Sequence, residues 1–145
     1  LKVAHGENWT AINNGLTDAY VFTLAIAPNG DIFAGTDSSI FRTTDNGKNW
    51  EKVYNIYYGI LSISVNSYGD IFVGTFDEGI YRSTDNGENW EKTGLETGLE
   101  YISVNTLAIN SNSYIFAGTG RIVGTAGGVF RSSDNGRLGR KSTMV

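Results

Sequence analysis

Ser83-Thr84-Asp85-Asn86-Gly87-Glu88-Asn89-Trp90 recurs as Thr43-Thr44-Asp45-Asn46-Gly47-Lys48-Asn49-Trp50. It starts a third time as Ser132-Ser133-Asp134-Asn135-Gly136, and a remnant, Gly6-Glu7-Asn8-Trp9, lies near the N-terminus. Each copy follows a short run of apolar and β-branched residues, so Asp-Asn-Gly marks a tight turn between strands. Asp45 and Asp85 can accept hydrogen bonds from backbone N–H groups of their own turns. Gly47 and Gly87 supply a left-handed conformation that a Cβ disfavours. Trp50 and Trp90 are then placed to fold over the turn and bury against the neighbouring repeat. The acid of each copy is structural on this account, not catalytic.

Outward from the turn, the flanking strands repeat too. Asp31-Ile32-Phe33-Ala34-Gly35-Thr36 returns as Asp70-Ile71-Phe72-Val73-Gly74-Thr75 and again over Tyr114 to Thr119. Ser39 to Thr43 returns as Gly79 to Ser83 and as Gly128 to Ser132. Val21 to Ile26, Leu61 to Val65 and Val104 to Ile109 lead each repeat, with Phe22, Leu24 and Ile26 at a period of two. The Asp of the motif recurs after 40 residues, at Asp45 and Asp85, and after 49, at Asp134. About 40 residues holding four strands is the period of a β-propeller blade. A β-sandwich has no reason to repeat its sequence. The fold class is therefore all-β: a propeller of four-stranded antiparallel blades, three blade equivalents to the chain, with the turn motif between the third and fourth strands.

Composition agrees and narrows the chemistry. Nineteen glycines and eighteen aromatics accompany one proline among 145 residues, the balance of a strand-and-turn protein. Net charge is −4, so no basic surface advertises nucleic acid or an anionic membrane. No apolar run approaches the ~20 residues a spanning helix needs, and Leu1 to Asn8 lacks the pattern of a secretory signal. There is no cysteine, hence no disulfide or thiolate site. His5 is the only histidine, which leaves no Ser–His–Asp triad. Asp85-Asn86-Gly87-Glu88 lacks the alternating oxygen ligands of a calcium loop. Gly118 to Gly124 misplaces its third glycine for a dinucleotide fingerprint, with no helix to follow. Asn8-Trp9-Thr10 is a formal glycosylation sequon that chance explains. We assign no catalytic residue, no metal and no cofactor.

The motif resembles the Asp-box, or BNR, pattern S/T-x-D-x-G-x-x-W, in two full copies and one half copy that together involve nearly the whole chain. Relatives carrying such boxes include sialidases, xyloglucanases, sortilin-type receptors and a photosystem assembly factor. The resemblance implies a propeller with each box in the hairpin of the two outer strands, and it favours an extracellular or periplasmic location. The structural box residues are then Asp45, Gly47, Trp50, Asp85, Gly87, Trp90, Asp134 and Gly136. Sialidases bind a carboxylate with three arginines, and Arg42, Arg82 and Arg131 recur here. They hold equivalent positions in successive blades, so they radiate apart instead of converging.

The ends do not complete a whole number of blades. Residues 8–12 form an orphan outer strand, blades follow at 20–54 and 58–93, an incomplete blade spans 101–133, and 137–145 is a tail outside the repeat. Pairing of Trp9–Ile12 with the last strand closes a ring, and two copies give six blades, within the ~4–8 of known propellers. A strand-exchanged homodimer is one expectation; a fragment of a longer propeller is the other.

All the variation in repeat length falls on the face opposite the boxes, where binding loops belong. That face gathers Tyr57, Tyr58, Asp77, Glu78, Glu100, Tyr101 and Arg121, aromatics beside acids that suit a glycan ligand. A non-catalytic binding or scaffold propeller is the first expectation, with solvated loops as its bland counterpart. The alternative is part of a glycoside hydrolase, sialidase- or xyloglucanase-like, whose two carboxylates flank the scissile bond.

Overall fold

The computed structural model describes residues 8–18, 20–94, 99, 101–120 and 127–137. Among them are eleven strands: β1 (Val21–Ile26), β2 (Ile32–Thr36), β3 (Ser39–Thr43), β4 (Glu51–Asn55), β5 (Ile60–Val65), β6 (Ile71–Thr75), β7 (Ile80–Ser83), β8 (Glu91–Thr93), β9 (Val104–Ile109), β10 (Ile115–Thr119) and β11 (Val129–Ser132). They form three antiparallel sheets in sequence order, β1–β4, β5–β8 and β9–β11. The first strands of successive sheets lie side by side, β1 on β5 and β5 on β9, so the sheets stack as blades around an axis.

Period-two alternation builds the stack, because neighbouring side chains on a strand point to opposite faces. In β2, Ile32 and Ala34 face backward, toward the preceding blade position, and Phe33 faces forward. In β6, Ile71 and Val73 face backward onto Phe33 and Ile40, while Phe72 faces forward onto Val104, Leu107, Ile115 and Ala117. The first blade's backward face has no blade before it among the described residues. Leu16 packs there with Ala34, Phe41 and Trp50 instead.

Two further details fix the blades. Gly35 and Gly74 are the penultimate residues of the repeated Ile-Phe-x-Gly-Thr strands. A Cβ on Gly35 would lie 2.4 Å from Ile60 of the next blade, and one on Gly74 would lie 2.6 Å from the Val104 backbone oxygen. Each blade also carries a register shift at its inner hairpin, between Val21 and Thr23, between Ile60 and Ser62, and between Gly118 and Thr119.

The first expected strand is a correction. Residues 8–13 carry no strand, and Trp9 is exposed. A strand needs a partner ladder, and β11 lies at the far end of the stack, in the third sheet. Of the expected tail, only Arg137 falls within the described residues.

Candidate functional site

The two faces of the stack are built by different loops, and their hydrogen bonds separate them. On one face the β2–β3 type turns meet the links between blades: Phe76 N–H donates to the Gly59 carbonyl at 2.9 Å, and Gly79 N–H to the Ile102 carbonyl at 3.2 Å. On the other face the second and third boxes each meet the first turn of the blade before them. The Asn86 amide donates to Asp31 at 2.6 Å, and the Asn135 amide donates to Asp70.

The boxes are self-contained clasps. The Asn49 backbone and amide groups donate to the two Asp45 oxygens at 2.9 and 2.8 Å, and Asn89 does the same to Asp85 at 2.8 and 2.7 Å. The hydroxyl of Thr43 donates to Asp45 and accepts from Gly47 N–H, and Ser83 repeats this with Asp85 and Gly87. Ser132, Asp134 and Gly136 make the same turn without a tryptophan after it. The side chain and then the backbone of Asn49, followed by Thr43, hold the Asp45 carboxyl down to about 2. The same Asn89 contacts hold Asp85 below the usual carboxylate range. Each carboxylate is spent on its own turn. Trp90 donates its indole N–H to the Gly87 carbonyl at 2.9 Å and packs 5.8 Å from the Tyr54 ring of the preceding blade. Trp50 is buried and donates to the Ile12 carbonyl at 2.8 Å.

The arginines do not converge. Arg42 binds Glu51 on its own blade and crosses to Glu88 and the Asn86 carbonyl of the next, both at 2.8 Å. Arg82 donates to Asp70 at 2.9 Å, and Arg131 lies over the Tyr114 ring. Asp18 is likewise structural. Burial pushes its carboxyl up, but hydrogen bonds from Thr36 and its neighbouring serines and the charge of Lys52 outweigh this and bring it to about 2.

On the face opposite the boxes, between the first two blades, lies a shallow depression of about 240 Å³. Tyr54, Asn55, Ile56, Tyr57, Tyr58, Glu78 and Tyr81 line it. Tyr57 is 95% exposed and Tyr58 half exposed. Tyr81 donates to Glu78 Oε2 at 2.5 Å, and burial followed by that bond raises its phenol well above the ordinary value. Lys92 Nζ stands 3.9 Å from the same oxygen and 5.0 Å over the Tyr101 ring. Tyr57, Tyr58 and Glu78 thus share one hollow, with Tyr101 joined to it through Lys92. Asp77 is drawn off to the next blade, where Ser103 Oγ donates to it at 2.8 Å. Glu100 and Arg121 lie outside the described residues.

A wider hollow of about 310 Å³ opens on the box face, among Pro28, Asn29, Tyr68 and Asn86. Its amides are bound to one another and to Asp31, so it is the seam between two blades. Among the described residues no group of three metal-ligating side chains comes together.

The sequence missed three recurrent contributors. The box Asn (Asn86, Asn135) is a clasp between blades, the opening Ser or Thr is the hub of the turn, and Asn49 and Asn89 close it. Their recurrence was the available signal.

Stacked four-stranded sheets with a clasped outer hairpin define a β-propeller of the Asp-box class. The BNR/Asp-box repeat family matches residues 41–52 and 81–92, so the chain carries two repeats of that family. Comparison with curated protein sequences gives no match. Solved structures share the fold. A GH74 xyloglucanase from Xanthomonas campestris is 20% identical over 76% of this chain and 20% of its own, at a TM-score of 0.62. YCF48 bound to the D1 peptide is 19% identical over 86% of this chain and 41% of its own, at 0.68. PorZ, a bacterial surface component of the type-IX secretion system of Porphyromonas gingivalis, is 19% identical over 82% and 18%, at 0.61. The neighbours thus include a glycoside hydrolase and other propeller proteins, a surface component among them. The chain spans less than half the length of each.

Proposed function

We propose that this chain is a non-catalytic binding propeller that takes a glycan on its tyrosine-lined face, outside the cytoplasm. The observation that carries this is the exposed pair Tyr57 and Tyr58 beside the fixed acceptor Glu78. Exposed rings offer flat apolar faces on which the C–H face of a sugar stacks, and a carboxylate at the rim accepts its hydroxyl hydrogens. The hollow is too shallow to enclose a small molecule but suits one or two rings of an extended chain. Its described lining holds one acid, Glu78, whereas hydrolysis by an acid pair needs two on opposite sides of the bond. Membership of a glycoside hydrolase is the second assignment, favoured by the likeness to the xyloglucanase.

A glycan array followed by calorimetric titration with the best oligosaccharide tests this. Tyr57→Ala or Tyr58→Ala should each weaken binding by about tenfold, the ~1.4 kcal/mol of a lost stacking contact. Release of reducing ends from xyloglucan by the unmodified chain would favour the hydrolase assignment. Absence of binding to every glycan would overturn both.

A further inference from the structure

We propose that the glycan taken by the tyrosine hollow is a cationic one, bound through the ammonium group of an unacetylated amino sugar. The inference rests on the glycan reading of that hollow and names the chemical class of its ligand.

The chain's own lysines show what this face does with an ammonium group. Lys52 Nζ lies 5.4 Å over the Phe41 ring and 3.4 Å from Asp18. Lys92 Nζ lies 5.0 Å over the Tyr101 ring and 3.9 Å from Glu78. Two blades thus place an ammonium group between the face of an aromatic ring and a carboxylate. The negative π face and the carboxylate both attract a cation, and together they hold it at a partly wetted surface.

The hollow between the first two blades offers that pairing again. Tyr57 and Tyr58 present exposed rings, and the partly buried Tyr54 and Tyr81 line it beside them, their centroids 6.1 Å apart. Glu78 is the one charged residue of the described lining, which holds no lysine or arginine. Its Oε2 takes the Tyr81 hydroxyl and faces Lys92, so Oε1 is the oxygen a ligand would use. Asp37 adds negative charge nearby, for it is exposed and its backbone adjoins Gly59, the residue after Tyr58. Arg42 and Arg82 are bound on the box side, to Glu88 and Asp70. Four tyrosines and a carboxylate around about 240 Å³ are the makings of a site for an organic ammonium ion. A neutral sugar would gain from the rings but not from the charge, and a uronic acid would meet Glu78 as a like charge. Lys92 already offsets part of the Glu78 charge, which sets the expected preference at about tenfold, the lower end for a ring and a carboxylate acting together.

Calorimetric titration of the 145-residue chain with matched β-1,4-linked hexamers tests this. The glucosamine hexamer should bind about tenfold tighter than the N-acetylglucosamine and glucose hexamers. Raising salt from about 0.05 to about 0.5 M should erase most of that preference, because the partly exposed charges are screened. Glu78→Gln should erase it too. Tyr57→Leu, at a residue too exposed for the core to depend on it, should reduce it independently of how Glu78→Gln folds. Equal affinity for the three hexamers would overturn the cationic class while leaving the glycan reading in place. A preference that survives both Glu78→Gln and Tyr57→Leu would overturn its assignment to this hollow. Choline shifting the ring resonances of Tyr57 and Tyr58, with no hexamer bound at all, would keep the ammonium site and overturn the glycan reading.

Discussion

Four aspartates of this protein are dedicated to geometry. Asp18 and Asp45 are held at about 2, and Asp70 and Asp85 lie below their ordinary value. An unfolded aspartate titrates near ~3.9, so each folded carboxylate binds its proton less readily than the unfolded one. The stability they add is full above about pH 4 and is lost as pH falls through the folded values, toward about pH 2. Melting temperature should be level from pH 7 to 5 and fall steeply between about pH 4 and 2. Asp18→Asn should lower stability at neutral pH and flatten that acid limb. A wild-type melting curve unchanged at pH 2.5 would contradict the assignment.

At the scale of the element, the hairpin turn is local chemistry with one tertiary demand. Gly30 and Gly87 both hold a left-handed conformation, at φ +93° and +89°. A Cβ on Gly30 meets nothing within 4 Å, whereas one on Gly87 would lie 3.1 Å from the Phe33 ring of the preceding blade. Gly30→Ala should therefore cost the ~1–2 kcal/mol of a left-handed alanine. Gly87→Ala should cost more, since the buried ring must also move. Urea titrations of the two variants decide it, and equal midpoints would show that the ring is free to shift. The half box at Ser132 to Gly136 makes the same point from the other side, for it forms its turn with no tryptophan to cover it.

For the whole molecule, stability follows nearest neighbours, as in any stacked repeat. The second blade contributes to both inter-blade cores, and the first and third contribute to one each. Amide exchange should accordingly be slowest in β6, whose residues are all buried, and fastest in β11, an edge strand with exposed positions. Uniform protection across the three sheets would mean the stack opens as one unit.

Much of this was legible beforehand. The period-two runs and the repeated Asp-Asn-Gly turn determined the strands and the blade, because turn conformation and side-chain alternation are set by residues a few positions apart. That Tyr57, Tyr58 and Glu78 lie on one face was also within reach, since loop position follows from the repeat. Other features depend on contacts across blades that no local pattern encodes. Asp77 turned toward Ser103, Asn86 reached back to Asp31, and Gly35 made room for Ile60. Residues 8–12 show the boundary best. The sequence marked them as a strand by their likeness to β4, yet a strand exists only where a ladder receives it, and among the described residues no sheet includes them. The boxed turn was determined by eight consecutive residues; what its asparagine and glycine are for was decided by the blade next door.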